Sequence, residues 1–112
     1  MAYDEDLADR IRALLSHQRG VTEKKMFGGL AFLIGGNMAI AASGQGGALV
    51  RVDPDQADHL VDTTPAEAAV MRGRPMQGWL RVTSDDLRTR RQLEKWVKLG
   101  SVYASSLPPK KK

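Results

Sequence analysis

The chain has 112 residues, 42% of them hydrophobic, which suits one compact domain with its own core and is too short for two. It has no cysteine, so a disulfide framework, thiol catalysis and every cysteine-ligated zinc or iron–sulfur site are excluded. The formal charge of +4 is a weak sign of nucleic-acid binding, because Lys110, Lys111 and Lys112 supply three of the four charges. More informative is the split along the chain: residues 1–69 carry 6 basic and 10 acidic side chains, and residues 70–112 carry 11 and 3. Met1 to Asp9 is acidic, and no apolar run reaches the roughly 18 residues a bilayer span needs, so no membrane association and a cytoplasmic location are expected.

Leu7, Ile11, Leu14 and Leu15 recur at helical spacing, which predicts a helix over 4–19 with Asp4, Glu5 and Asp6 at its positive end and Gly20 stopping it. From Val21 to Val52 short apolar runs alternate with glycines, the pattern of an antiparallel meander. Gly35-Gly36 supplies the positive-φ pair of a tight hairpin, and Gly44 to Gly47 a longer loop. Asp53-Pro54 starts a short helix with Ala57, Leu60 and Val61 inward, and Thr64-Pro65-Ala66-Glu67 has the form of a capping box for a second helical piece. Met76 to Val82 has strand character. Ser84 is then expected to cap a last helix with Asp85 and Asp86 in its first turn and Leu93, Trp96, Val97, Tyr103, Ala104 and Leu107 on one stripe. Gly100 falls on that stripe, where it permits close packing on a sheet. The sum is an α+β two-layer sandwich in the order α-β-β-β-β-α-β-α, an antiparallel sheet of about five strands covered on one face by helices. Residues 1–107 form the single domain and 108–112 a flexible basic tail.

Four ordered segments carry a resemblance: Lys25-Met26-Phe27-Gly28-Gly29-Leu30, Leu49-Val50-Arg51-Val52-Asp53, Arg74-Pro75-Met76-Gln77-Gly78-Trp79, and Trp96 through Tyr103-Ala104, closed by Ser105-Ser106-Leu107-Pro108. With these, the chain resembles the TfoX N-terminal domain family over nearly its full length. The resemblance implies a fold similar to type III secretion chaperones and a relation to the TfoX/Sxy regulators of bacterial competence, which act with the cyclic-AMP receptor protein. Those longer regulators carry a further C-terminal helical domain, so the expectation is a stand-alone N-terminal domain. The family is not associated with a defined catalytic centre, and no catalytic residue is carried over.

Catalytic and cofactor motifs fail on spacing. A dinucleotide fingerprint begun at Gly44-Gln45-Gly46 meets Leu49 where its third glycine belongs, and no glycine precedes the Lys-Ser/Thr pair of a P-loop. His17 and His59 sit on different predicted helices without a partner ligand at i+4, and no serine has a nucleophile-elbow context. Asp85 and Asp86 suit a helix start better than paired acid/base work. Catalytic, cofactor-binding and metal residues are therefore expected to be none.

Two surfaces remain as candidates. Arg88, Arg91, Lys95 and Lys98 fall within roughly 80° of one another on the last helix, a basic ridge for acidic or phosphate partners. Alternation in the strands sends Val50, Val52, Leu80 and Val82 to the helix-covered face. Leu49, Arg51, Trp79 and Arg81 go to the opposite face, joined by Ala31, Leu33, Ala39 and Ala41. An apolar sheet face of this kind fits a protein partner or self-association. The favoured expectation is thus a non-catalytic regulatory or protein-interaction module; the alternatives are a nucleic-acid-associated accessory protein using the basic ridge, and a small enzyme with an unrecognised site.

Overall fold

The computed structural model describes residues 4–26, 28–44, 46–71 and 73–108; Lys110–Lys112, expected in a flexible tail, lie outside them. Helix α1 (Glu5–Leu14) is followed by strands β1 (Val21–Met26), β2 (Gly29–Ile34), β3 (Asn37–Ala42) and β4 (Ala48–Arg51), and by helix α2 (Pro54–Thr63). Strands β5 (Glu67–Met71) and β6 (Arg74–Val82), a single 3-10 turn (Ser84–Leu87) and helix α3 (Arg90–Ser106) complete the order. Among the described residues six strands form one antiparallel sheet in the order β1-β2-β3-β4-β6-β5.

The helices begin where short polar side chains satisfy their free amides. Asp4 accepts from the Leu7 N–H at 3.2 Å and starts α1; Asp53 accepts from the Asp55 N–H at 2.9 Å and, with Pro54, starts α2. Helix α1 stops at Leu14, short of the expected Arg19. Residues 16–19 are polar and exposed, and Ser16 and Gln18 donate to carbonyls three residues back, so this segment unwinds into turns with nothing to bury. Gly35 and Gly36 both have positive φ (59° and 83°), as the β2–β3 hairpin requires.

Two expectations about the second half fail. The segment from Thr64 to Glu67 does not begin a helix: Glu67–Met71 pairs with β6 as an edge strand, giving six strands in place of about five. The Thr64 hydroxyl donates to the Leu60 carbonyl and accepts from the Ala66 N–H, so it terminates α2. The backbone groups along β6 need a partner, and that tertiary demand overrides the helix preference of an alanine-rich run. Nor does Ser84 cap the last helix. Ser84 to Leu87 is the 3-10 turn, and α3 starts later, capped by a reciprocal box in which Gln92 N–H donates to Thr89 Oγ1 (3.1 Å) and Thr89 N–H to Gln92 Oε1 (3.0 Å).

One core unites all three helices with one face of the sheet: Leu7, Ile11 and Leu15 of α1 and its end, Leu60 of α2, and Leu93, Trp96, Val97 and Ala104 of α3 meet Phe32, Ile40, Val50, Val52, Leu80 and Val82. The expected inward set from β4 and β6 is therefore correct. On β3 the alternation is broken. Phe32 pairs with Ile40 but Leu33 with Met38, so Ala39 is an extra residue in a β-bulge. Ala39 consequently joins the helix-side core, and Met38 takes the place on the other face that strict alternation assigns to Ala39. Gly100 of α3 sits against this bulge, where an added Cβ would overlap the Ala39 carbonyl.

Candidate functional site

The face of the sheet away from the helices carries a second apolar cluster made of strand residues only. Ala31, Met38 and Ala41 are buried there, packed against by half-buried Leu33, Leu49 and Trp79. The alanines are thus not bare, because the larger neighbours already shield them. Leu49 and Arg81 are register partners, as are Arg51 and Trp79, which brings the four residues expected on this surface together across β4 and β6.

Arg51 has a more specific place than that surface implies. Its guanidinium lies 5.3 Å from the centroid of the Trp79 ring and 5.6 Å from that of Tyr103 on α3. At these distances the cation is attracted by both ring faces. Arg51 therefore spans from the strand cluster to the last helix.

The basic residues separate into two groups. Arg88 precedes α3, holds Asp85 at 2.8 Å and, through its carbonyl, accepts from Arg10 at 3.0 Å. It fastens the 3-10 turn and α1 to each other. Arg91, Lys95 and Lys98 share one exposed side of α3, and they also line a groove. The groove, about 760 Å³, runs between α2 and α3. Val52, Leu60, Leu99, Val102 and Tyr103 supply its apolar lining, and Asp53, Gln56, Glu94 and Ser106 its other polar side chains.

Both groove carboxylates are engaged. Asp53 caps α2, and Glu94 lies 3.7 Å from Arg90. Arg91 and Lys98 have no ion-pair partner among the described residues, while the Lys95 ammonium lies 5.5 Å from the Trp96 ring centroid. The groove escaped the sequence because it depends on α2 and α3 lying side by side. One signal was present: position 102, the next on the stripe of 91, 95 and 98, is a valine, and it is 61% exposed.

Elsewhere, the carboxylate of Asp86 accepts from Thr83 Oγ1 at 3.0 Å and that of Asp85 faces Arg88, so neither shares a substrate position with the other. His17 lies in the turns after α1 and His59 on α2, and no three His, Asp or Glu side chains among the described residues gather as a metal-binding group. No helix is long and apolar enough to cross a membrane among the described residues.

The chain matches the TfoX N-terminal domain family over residues 13–102, a span that runs from the end of α1 through most of α3. No curated protein and no solved structure matches it.

Proposed function

This chain belongs to the TfoX N-terminal domain family, and we propose that it works by association, as a non-catalytic protein-interaction module whose contact surface is the sheet face opposite the helices. The observation that carries the reading is the cluster of Ala31, Met38, Ala41, Leu33, Leu49 and Trp79, an apolar patch to which, among the described residues, only strands contribute. The partly exposed Leu33, Leu49 and Trp79 are the apolar side chains that another polypeptide would cover there. A regulatory role resembling that of the competence regulators, exercised in the cytoplasm, is the finer form of the same reading.

Nucleic acid is the less favoured partner. Arg91, Lys95 and Lys98 face a groove whose lining also carries the carboxylates of Asp53 and Glu94 and a run of apolar side chains. Three cations interrupted by carboxylates and apolar side chains offer a polyanionic backbone less than an unbroken basic surface does.

Self-association is the form of the proposal that the purified chain can answer. Sedimentation velocity should show a dimer that grows with concentration and disappears in a Leu33→Glu variant that circular dichroism shows to be folded. Monomer at every concentration removes self-association. A crosslinking survey in cells in which Leu33→Glu leaves every protein contact in place removes the interaction module altogether.

A further inference from the structure

We propose that the groove between α2 and α3 is a binding site for an amphipathic monocarboxylate, a small molecule with an apolar body and one anionic head. Its volume of about 760 Å³ lies within the range of small-molecule sites. The apolar body would lie on Leu60, Leu99, Val102 and Tyr103, and the carboxylate beside Arg91, Lys95 and Lys98. This surface is separate from the open sheet face, so the inference stands or falls independently of the interaction module.

Charge decides the class of ligand. Of the groove's side chains, three are cations, and its two carboxylates are held by the α2 amides and by Arg90. The lining therefore carries a net positive charge next to apolar surface, where a carboxylate is stabilised more than in open water. A cationic ligand would meet repulsion. A polyphosphate would leave the apolar lining unused, and the amide end of α2, the natural seat for phosphate, is filled by the Asp53 side chain.

The 61% exposure of Val102 supports the same reading. It is one of two large apolar side chains exposed to this degree among the described residues, and it lies on the cationic stripe, one helical turn beyond Lys98 and Leu99. An apolar ligand body covering Val102 removes that surface from water. Tyr103 adds a polar tip and an aromatic face to the same wall.

The test is a methyl and amide NMR titration of the intact chain with decanoate below its micellar concentration, with decanol and decyltrimethylammonium as uncharged and cationic controls. Decanoate should give saturable shifts at Leu60, Leu99 and Val102, and bind more tightly than decanol, with the cation weakest. Lys95→Glu combined with Lys98→Glu should weaken decanoate by about tenfold, the scale of two exposed charge contacts, and leave decanol unchanged. Val102→Asp, at an exposed position that leaves the fold intact by circular dichroism, should weaken both. Equal binding of decanoate and decanol, indifference to the charge reversal, or shifts confined to Leu33, Leu49 and Trp79 would each overturn the proposal.

Discussion

The guanidinium of Arg51 lies 5.6 Å from the centroid of the Tyr103 ring. Through it a groove-lining residue of α3 is tied to Trp79, which packs on the strand cluster of the opposite face. Replacing Arg51 by Met keeps most of the aliphatic stem and removes the cation, so the loss reports the ring contacts and not the packing. Arg51→Met should lower stability by about 1 kcal/mol. In a double-mutant cycle with Tyr103→Leu the coupling should be about 0.5 kcal/mol or more, measured by urea unfolding. Strict additivity would show that Arg51 and Tyr103 are merely adjacent.

Gly100 poses two opposed effects at one position. Alanine is favoured over glycine in a helix interior by about 1 kcal/mol. At Gly100, however, the new Cβ would overlap the carbonyl of Ala39, a backbone atom in the bulge that cannot rotate away. Overpacking of this kind costs about 1–3 kcal/mol, so the steric effect exceeds the propensity gain. Gly100→Ala should therefore lower the guanidinium midpoint. A stabilised variant would mean that α3 does not rest on β3 at this point.

These two residues also mark what the sequence made legible. Gly100 lies on an apolar stripe, and from that alone its role as a close-packing point follows. The partner, Ala39, does not follow, because period-two alternation cannot see a bulge; strict counting sends Ala39 to the wrong face and leaves out Met38. Val50, Val52, Leu80 and Val82 were readable because β4 and the end of β6 run without irregularity between paired neighbours. Glu67–Met71 was not, since its alanines and a preceding Thr-Pro carry a helix signal, and only the unfilled edge of β6 makes it a strand. The basic stripe was legible as a stripe. That it borders a groove depends on the neighbouring α2, which no local pattern of α3 encodes.

The start of α3 gives a direct comparison of two cap candidates. Thr89 holds the reciprocal box with Gln92, whereas Ser84 begins the 3-10 turn without serving as a helix cap. Thr89→Ala should cost about 1 kcal/mol, the usual loss on removing a cap hydroxyl. Ser84→Ala, at an exposed site, should stay within about 0.5 kcal/mol of the parent. Thermal unfolding of the two variants separates the assignments; a larger loss at Ser84 would move the start of the helix back to that residue.

Arg12 joins α1 to the edge strand β1 by a two-pronged contact with Glu23, Nε to Oε2 at 2.6 Å and Nη2 to Oε1 at 2.7 Å. The hydrogen bond from Arg12 holds the Glu23 carboxyl below the usual glutamate range, and the same contact raises the Arg12 guanidinium, which stays charged throughout. Because the folded value of Glu23 is depressed, the stabilisation is fully present above the unfolded glutamate value and is lost as pH falls through the folded one. The side chains are 47% and 34% exposed, so solvent screening limits the pair to about 0.5 kcal/mol. Glu23→Gln should accordingly be slightly less stable than the parent at neutral pH and low salt. The two urea midpoints should converge in acid, once Glu23 is protonated, and also at high salt, where the pair is screened. A difference that persists under both conditions would show that Glu23 acts through packing on β1 and not through its charge.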